Sequence, residues 1–480
     1  MEILTLEEIV EAVSGEIIYL GNNKFFKNVT TDSRKIKKGD IFIALHGEIF
    51  DGNEFVEEAA LKGADLCIVD SIKYNKENIS KYTSIIKVEY TNKALMDLAK
   101  YYRSKLDIKV IGITGSTGKT STKDFVAAAL SSKLNVFKTE GNFNNEIGLP
   151  IMIFKLNNLY DVAVLEMGMS NFGEIHNLAD IARPDIAVIT NIGISHIENL
   201  KTRENILKSK LEITDFFNNN SILIINNDND MLNAYDNKNI NIIRIGTSGN
   251  VNFKAFDIKL HENSIEYTIK EINTDKEHNL LIKALGEHNV LNSLLAVACS
   301  RVLSIDYEYI QKGINCFEAS PMRLDIIRSE KFVIVNDCYN ASPDSMIAAL
   351  NVLSTINGRR KIAVLGTMME LGDKAYYAHY EVGKYASVKG VDLLLTVGEY
   401  NEAYKEGYSN LGDFKGFESK QKLIDYLEKE VIEGDVILIK ASRAMRFEDI
   451  VSELVLLKQN IGTSGGASTP PEAKASISHV

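Results

Sequence analysis

The residues of this sequence that could do chemistry begin with one loop, Gly115-Ser116-Thr117-Gly118-Lys119-Thr120-Ser121. An apolar run precedes it and a predicted helix follows, so backbone N–H groups and the helix dipole would face an anion. Lys119 adds a positive charge, and the Thr120 hydroxyl can bind Mg²⁺. The strict P-loop pattern has a glycine six residues before the lysine, where Ile113 stands here. We predict a variant P-loop; the alternative is an ordinary strand–turn–helix with a chance Gly-Lys-Thr.

Two further side chains are candidate metal ligands. Mg²⁺ prefers oxygen ligands, so Glu166, which follows an apolar run, is a candidate beside Thr120. His196 could add a nitrogen ligand, which is less typical of Mg²⁺ but compatible with Mn²⁺. Alternatively, Glu166 is a helix cap or a surface acid, and His196 is a loop histidine bonded to the backbone.

Lys210 and the loop near Arg34 have weaker signals. Lys210 lies in a helical stretch of mixed charge, whose pattern favours a solvated helix face. Ser33 and Arg34 could hold a diphosphate through charge-assisted bonds. Such a loop is also typical of a plain turn.

Polar segments elsewhere suit substrate binding. The loop Gly141–Pro150 is rich in amides, and Asn336–Ser345 places an acid, a tyrosine and an amide after an apolar strand. Lys440-Ala441-Ser442-Arg443 ends another strand with two cations, which could bind an anion or merely lie at the surface. The alternative for the second segment is a strand-to-helix turn, in which Pro343 and Asp344 cap a helix beginning near Ser345.

The elements that must position these residues alternate between apolar runs and helical stretches. Runs at Ile108–Ile113, Val162–Leu165, Ile186–Ile189 and Ile222–Ile225 predict a mostly parallel, doubly wound sheet. Ligands bind at the carboxyl ends of such strands, where the candidate residues stand. A β-rich stretch is expected over about 242–285.

We predict an α/β chain of three domains and a tail. An N-terminal domain covers 1–103, a central doubly wound P-loop domain 104–315, and a C-terminal Rossmann-like domain 316–457. The strands of the last domain are predicted at four apolar runs: Val333–Val335, Ile362–Leu365, Leu393–Val397 and Val436–Ile439. Residues 458–480 are of low complexity, and we expect them to be disordered.

Composition narrows the class of protein. The 480 residues carry a net charge of −11, which argues against a nucleic-acid-binding protein. The four cysteines are scattered, so we expect neither disulfides nor a zinc site, and we expect a cytoplasmic location. The N-terminus lacks a signal-peptide pattern, and no apolar run is long enough to span a bilayer. We expect a monomer without membrane insertion.

The motifs together resemble the Mur ligases, a family of ATP-dependent enzymes that form peptide bonds in peptidoglycan precursors. The resemblance covers nearly the whole chain to about residue 457. It rests on the variant P-loop and on segments that match the family's amide loop, metal-binding segments and nucleotide-contacting helix start: Gly141–Pro150, Glu166–Met169 with Gly173–Ile175, Asn191–Glu198, and Gly286–Asn289 with Asn292.

Within the family, three segments resemble the branch that joins D-alanyl-D-alanine to UDP-N-acetylmuramoyl-tripeptide: Asp337–Ser345, Met369–Gly372 followed by His379, and Lys440–Arg443. The Asp-Asn-Pro-Arg motif of the branch that adds diaminopimelate or lysine is absent. Asp32-Ser33-Arg34 and Asp51-Gly52 resemble the UDP-binding N-terminal domain. Asn53 stands where the family usually has histidine, and Asn336 stands where it usually has an acid.

The resemblance implies that the protein uses ATP, binds Mg²⁺ at two sites and acts on UDP-N-acetylmuramoyl-tripeptide and D-alanyl-D-alanine. It also implies an acyl-phosphate intermediate. It implies catalytic roles for Lys119, Lys210, His196 and Glu166. The metal ligands would be Thr120, Glu166, His196 and a Lys210 carbamylated by CO₂, which reverses the interpretation of that lysine. Nucleotide contacts would come from Gly115, Ser116, Thr117, Gly118, Lys119, Thr120, Ser121, Asn144, Asn145, His288, Asn292, Arg323 and Asp337. Substrate contacts would come from Ser33, Arg34, Asp51, Tyr339, Asn340, Ser342, Lys440, Ser442 and Arg443.

Two other classes of function stay open at this point. One is a related ATP-dependent amide ligase, such as the branch that adds diaminopimelate or lysine or a folylpolyglutamate synthase. The other is a P-loop nucleotide switch without ligase chemistry, in which ATP turnover would not depend on an amine acceptor.

Overall fold

A computed structural model of the chain describes residues 1–47, 50–272, 274, 276–409 and 412–461. None of the helices formed by these residues is long and apolar enough to cross a membrane.

The described chain separates into two compact units. The first comprises Met1–Ser320 together with Glu370–Gly372, and the second comprises Pro321–Met369 and the chain from Asp373 onward. The first unit therefore ends a few residues after the predicted boundary at 315.

The N-terminal part of the first unit has its own sheet. Its elements are β1 (Leu4–Thr5), α1 (Leu6–Val13), β2 (Glu16–Tyr19), β3 (Phe25–Phe26), β4 (Val29–Thr30), β5 (Ile41–Ile43), α2 (Val56–Lys62), β6 (Leu66–Val69), β7 (Ser84–Lys87) and α3 (Thr91–Ser104). The sheet order is β2-β7-β6-β5-β4, and among the described strands of that sheet only the β2–β7 pair is antiparallel. β1 and β3 form a separate antiparallel pair. α1 begins at Leu6, where Thr5 and Glu8 form a capping box.

The central part of the first unit contains a larger sheet. Its strands are β8 (Lys109–Thr114), β9 (Val136–Lys138), β10 (Val162–Glu166), β11 (Ile186–Ile189), β12 (Ile222–Asn226), β13 (Asn241–Gly246), β14 (Phe253–Leu260), β15 (Ile265–Glu271) and β16 (Glu277–Ile282). Its helices are α4 (Lys119–Leu130), α5 (Gly148–Lys155), α6 (Glu174–Ala182), α7 (Ile197–Leu200), α8 (Arg203–Leu211), α9 (Asp230–Asn233), α10 (His288–Val302) and α11 (Tyr307–Ile314).

The order of this sheet is β16-β15-β14-β13-β12-β11-β8-β10-β9. The strands from β9 to β14 pair in parallel, whereas β14, β15 and β16 pair antiparallel. The predicted parallel sheet is therefore confirmed, and the β-rich stretch extends that same sheet. β8 lies between β10 and β11, so the chain leaves it in one direction and later returns on its other side. This arrangement is the switch point at which α/β sheets bind ligands.

The core beneath the switch point comes from apolar side chains on one face of β8. Ile111 and Ile113 are fully buried with Phe125 of α4 and Leu294 of α10. Gly112 faces the opposite side, where an added Cβ would lie 3.2 Å from the Cδ1 atom of Ile213. The alternation of β8 therefore packs both faces of the sheet and fixes the point from which the P-loop departs.

The second unit is built on one sheet with helices between its strands. Its elements are β17 (Asp325–Arg328), β18 (Val333–Asn336), α12 (Pro343–Thr355), β19 (Arg360–Gly366), α13 (Ala375–Val388), β20 (Leu393–Val397), α14 (Asn401–Gly407), β21 (Asp413–Phe417), α15 (Lys420–Glu430), β22 (Asp435–Lys440) and α16 (Glu448–Ile461). The order β17-β18-β22-β19-β20-β21 is parallel apart from the described pair β17–β18, as predicted for a Rossmann-like unit.

Two boundaries in this unit differ from the sequence prediction. α12 begins at Pro343, not near Ser345, because Ser342 supplies the capping side chain and proline occupies the first helical turn. The last helix reaches Ile461, beyond the predicted domain end at 457. Residues 462–480 of the predicted tail lie outside the described residues.

Candidate functional site

The P-loop runs from the end of β8 to the first turn of α4 and is held by the loop after β11. Backbone N–H groups of Ser116 and Thr117 donate to the carbonyl and side-chain oxygens of Asn191, at 3.0 and 2.8 Å. The Thr190 hydroxyl donates to the Thr117 carbonyl at 2.5 Å. Ile113, the departure from the strict pattern, is a buried strand residue, so the anion-facing loop starts only at Gly115.

Lys119 is the first residue of α4, at the positive end of the helix dipole. Its Nζ atom donates to the Gly115 carbonyl at 2.8 Å, so the amine folds back over the loop. Gly118 adopts φ +78 at the N-cap, where an added Cβ would lie 2.8 Å from Oδ1 of Asn292. The loop therefore brings Lys119, the helix N-terminus and Asn292 together around an anion-binding position.

Asn292 is fixed by neighbours on two helices. Its Oδ1 accepts from the Thr122 hydroxyl of α4 at 3.2 Å, and its Nδ2 donates to Oδ1 of Asn289 at 2.9 Å. His288, the other predicted nucleotide contact on this segment, is the first residue of α10. Both predicted residues thus lie at the beginning of the helix that packs against α4.

Thr120 and Glu166 meet beside the P-loop. The Thr120 hydroxyl donates to Oε2 of Glu166 at 2.9 Å, and Nδ2 of Asn144 donates to Oε1 at 2.9 Å. Glu166 is the last residue of β10 and is 3% exposed, so it is neither a helix cap nor a surface acid. Asn145 differs from Asn144, because its Oδ1 accepts from the Gly148 N–H at 2.8 Å at the start of α5.

His196 precedes the short helix α7 in the left-handed conformation, with φ +62. Its Nδ1 lies 2.5 Å from Oε2 of Glu370, a residue that also belongs to the first unit. This contact holds the pKa of the Glu370 carboxyl below its usual range, and the positive charge of Lys119 adds to the effect. The sequence did not predict Glu370 as a site residue.

Lys210 is buried on α8, contrary to the solvated helix face that its charge pattern indicates. It is 1% exposed, alongside the buried Ile206 and Ser209. Burial, followed by the nearby positive charge of Lys119, lowers the pKa of Lys210 well below its usual range. A lysine in this environment favours the neutral amine, which is the nucleophilic form.

The fit of these side chains to a metal ion rests on their donor types. Among the residues that the structure describes, no group of three or more His, Cys, Asp or Glu side chains is arranged to hold a metal. The predicted set instead combines one carboxylate and one imidazole with the Thr120 hydroxyl and Lys210. Thr120 and Glu166 present adjacent, buried oxygen atoms next to the P-loop, and these oxygens fit Mg²⁺ at a nucleotide.

The predicted substrate residues Ser33, Arg34 and Asp51 belong to the N-terminal domain, which precedes the P-loop in the sequence. Arg34 donates through Nε to Oδ1 of Asp32 at 2.8 Å, and the carbonyl of Ser33 accepts from Nζ of Lys62 at 3.1 Å. Asp51 lies 2.7 Å from Nζ of Lys73. The substrate-binding roles of these three residues stay predictions.

Asn53 is the centre of a buried network in this domain. It is fully buried, and its Nδ2 donates to Oδ1 of Asp51 at 2.7 Å and to Oδ1 of Asp70 at 2.8 Å. Burial raises the pKa of Asp51, but bonds from Lys73 and Asn53 outweigh it and lower that pKa to about 2. Asparagine therefore fulfils a structural role at a position where the sequence departs from the family pattern.

The predicted residues of the second unit gather at the carboxyl ends of β18 and β22. Lys440 is buried, and its Nζ donates to Oδ2 of Asp337 at 2.5 Å and to the Asn340 carbonyl at 2.9 Å. Burial lowers the pKa of Lys440, and Asp337 opposes that shift. The guanidinium of Arg323 lies over the Tyr339 ring at 4.1 Å.

Three other predicted substrate residues of this unit have structural partners. Ser342 caps α12, and Ser442 is 3% exposed and accepts the Met369 N–H at 2.9 Å. Nη1 of Arg443 donates to Oε1 of Glu448 at 2.9 Å. These contacts leave the binding roles of the three residues as predictions.

Thr190 and Asn191 position the P-loop, a role that the sequence analysis did not predict, although it placed Asn191 in a segment that resembles the metal-binding segments of the family. Both follow the apolar strand β11, which adjoins β8, and both bond the P-loop. Their place at the end of a parallel strand marks them as residues of the ligand-binding edge, but it does not show which loop they contact.

Three protein-family models match successive parts of the chain. Residues 26–103 match the model "Mur ligase family, catalytic domain", residues 113–300 the "Mur ligase middle domain", and residues 322–443 the "Mur ligase, glutamate ligase domain". The chain is 38% identical over 462 residues to the UDP-N-acetylmuramoyl-tripeptide–D-alanyl-D-alanine ligase of Bacillus subtilis (strain 168), covering 94% of this chain and 98% of that protein.

Solved structures agree with this comparison. A crystal structure of MurF from Acinetobacter baumannii matches with a TM-score of 0.86 and 30% identity, covering 95% of this chain and 99% of that one. MurF ligase from Thermotoga maritima in complex with ADP matches with a TM-score of 0.80 and 29% identity, covering 91% and 98%.

Proposed function

Because the chain belongs to the Mur ligase family, we propose that it is the ATP-dependent ligase that joins D-alanyl-D-alanine to UDP-N-acetylmuramoyl-tripeptide. The products would be UDP-N-acetylmuramoyl-pentapeptide, ADP and phosphate. The observation that carries the proposal is the P-loop, whose Lys119 and Thr120–Glu166 pair stand together at the start of α4.

The chemistry follows from the charge of the acceptor. A carboxylate resists nucleophiles, so its oxygen first attacks the γ-phosphorus of ATP and displaces ADP, giving an acyl phosphate. The dipeptide amine, as the free base, then attacks the acyl carbon. The tetrahedral intermediate expels phosphate, and the nitrogen loses its extra proton to leave the amide.

The P-loop residues would act on the first of these steps. Lys119 would leave the Gly115 carbonyl and neutralise charge on the transferring phosphoryl group, while backbone N–H groups hold the remaining phosphates. Thr120 and Glu166 would hold Mg²⁺, which supplies charge neutralisation at the phosphates when bound. His196 and Lys210 would hold a second ion.

We further propose that Lys210 acts as a carbamate. Its neutral amine would add to the carbon of CO₂ and lose a proton, which converts a cationic side chain into an anion able to bind a metal. The burial of Lys210 and the lowered pKa of its amine support this step. The predicted three-domain division fits such a reaction, with the UDP-sugar on the first domain, ATP on the second and the dipeptide on the third.

A phosphate-release assay tests the ligase proposal. The protein would be given ATP and Mg²⁺ with UDP-N-acetylmuramoyl-tripeptide, carrying lysine or diaminopimelate, in the presence and absence of D-alanyl-D-alanine. We expect release to require both substrates. Release that ignores both would leave a nucleotide switch as the function.

Parallel reactions separate the related ligases. Replacing D-alanyl-D-alanine by lysine, diaminopimelate or glutamate, each with the appropriate acceptor, should give no release above background. Turnover with one of these amines in preference to the dipeptide would assign the chain to another branch. The monomeric state and the cytoplasmic location stay predictions, which sedimentation and cell fractionation would test.

A further inference from the structure

Within the described residues of the first unit, Glu370 is the acidic residue whose side chain contacts the imidazole ring of His196. Oε2 of Glu370 lies 2.5 Å from Nδ1 of His196, and the Glu370 carbonyl accepts the Glu198 N–H at 3.2 Å. Both a side-chain and a backbone group of Glu370 thus meet the segment that begins α7. Glu370 itself has φ +63, a left-handed conformation that is uncommon for a residue with a side chain.

The backbone immediately before Glu370 is fixed by two buried side chains. The Met368 N–H donates to Nε2 of His379 at 2.9 Å, and the Met369 N–H donates to the Ser442 hydroxyl oxygen at 2.9 Å. His379 is oriented in turn, because its Nδ1 donates to the Ala375 carbonyl at 2.6 Å. These bonds, which lie within the second unit, fix the backbone of Met368 and Met369.

The contact between Glu370 and His196 affects which ring nitrogen of the histidine carries the proton. A neutral histidine carries its proton on one ring nitrogen and offers the lone pair of the other. A carboxylate beside Nδ1 favours the proton on that nitrogen, because a nearby negative charge repels a lone pair on Nδ1 and attracts the partial positive charge of the proton. Nε2 is then the nitrogen with the free lone pair, and carboxylate–histidine–metal arrangements of this kind recur in metalloproteins.

We propose that Glu370 is a positioning residue for His196, which keeps the proton on Nδ1 and presents Nε2 to a metal ion. The inference rests on the proposed function, since that function supplies the reason for a metal beside the P-loop. Nδ1 has no well-aligned hydrogen-bond acceptor among the described residues. The influence of Glu370 is therefore electrostatic, acting over the short Nδ1–Oε2 distance.

Mn²⁺ binding in the presence of ADP provides the test. Mn²⁺ is paramagnetic, so electron spin-echo spectroscopy detects a coordinated imidazole nitrogen, and titration gives the affinity without any turnover. The variants are Glu370→Gln, His196→Asn and the double variant. Asp373→Asn is the matched control, because Asp373 is an exposed acid in the same loop region. Glutamine has the shape of glutamate, and the Glu370 side chain is 49% exposed, so folding should be retained and is checked by thermal unfolding.

We expect His196→Asn to remove the nitrogen signal and Glu370→Gln to weaken Mn²⁺ binding about tenfold, with a weaker nitrogen signal. Asp373→Asn should behave as the unaltered protein does. In the His196→Asn background, Glu370→Gln should cause no further loss, because the glutamate acts through the histidine.

Two results would overturn the inference. One is unchanged Mn²⁺ affinity and nitrogen signal in Glu370→Gln. The other is an equal loss of affinity from Glu370→Gln with or without His196, which would make Glu370 a ligand in its own right. Failure of the ligase proposal gives a different result, since the phosphate-release assay would then show no substrate dependence while the spectroscopic coupling persists.

Discussion

Gly115 packs directly against Thr190: a Cβ atom on Gly115 would lie 1.8 Å from the Thr190 hydroxyl oxygen. Thr190 is itself bonded to the Thr117 carbonyl, so the two residues fix the path of the P-loop. The loop can approach a phosphate with its backbone only while this contact is undisturbed.

Gly115→Ala should therefore weaken nucleotide binding by at least tenfold, because the loop must shift to admit the methyl group. Calorimetric titration with ADP measures the affinity. Gly390→Ala is the control: Gly390 also has a positive φ, +67, but an added Cβ there meets nothing within 4 Å. ADP affinity that is equal in the two variants would contradict this account of the loop.

Lys210→Ala should lose ligase activity, and short carboxylates such as acetate or formate should partly restore it. The reason is that a free carboxylate could occupy the place of the carbamate as an anionic ligand. Initial rates of phosphate release, with and without the added acid, measure both effects. Lys208→Ala on the same helix serves as the control, because Lys208 is exposed. Unimpaired turnover in Lys210→Ala would refute the carbamate role.

The buried His379 should make the protein sensitive to acid. Burial lowers the pKa of His379 to about 4 from an ordinary 6.5. The unfolded chain therefore binds a proton before the folded one does, and stability is lost as the pH falls from about 6.5 towards 4. This single group should cost about 2 kcal/mol between pH 7 and pH 5.

Urea unfolding at the two pH values gives this difference. His379→Gln should lower stability at pH 7, because the ring's bond to the Met368 N–H is lost, but should flatten the dependence on pH in this window. An equally steep loss in His379→Gln would assign the acid sensitivity to other groups.

Asn53→Ala should destabilise the N-terminal sheet by about 1–3 kcal/mol, because it removes two hydrogen bonds that a buried amide donates to the carboxylates of Asp51 and Asp70. Urea unfolding at pH 7 measures the loss. Asn220→Ala is the matched change at an exposed position, and it should stay within about 0.5 kcal/mol of the unaltered protein. A similar small effect for Asn53→Ala would show that the network is dispensable.

Much of the framework could be predicted from local pattern. β8, β10, β11 and β12 appear as short apolar runs, and buried parallel strands must be apolar on both faces. The residues that follow those runs, including Glu166, lie at the sheet edge because parallel strands end on the same side. The residue pattern of Gly115–Ser121 and the position of Glu166 after an apolar run were therefore enough to find the P-loop and its acidic neighbour.

The burial of individual side chains and the contacts between distant segments could not be predicted, because they depend on tertiary packing and not on the spacing of residues in the sequence. Lys210 is indistinguishable from Lys208 in a charged helix, yet one is buried and the other exposed. Glu370 is distant in sequence from His196, so no periodicity could pair them. Resemblance to a family assigned a role to Lys210, but gave none to Glu370.

The distribution of thiols has a practical consequence. Cys67, Cys299 and Cys338 are buried, and burial raises the pKa of each thiol, whereas Cys316 is exposed. A maleimide dye should thus attach at a single native position without any engineering. The adjacent Phe317 stacks on Phe125 of α4 at a ring separation of 3.9 Å. A dye at Cys316 would therefore lie beside the helix that starts at the P-loop, and comparing its fluorescence with and without ADP would show whether nucleotide binding changes the surroundings of that helix.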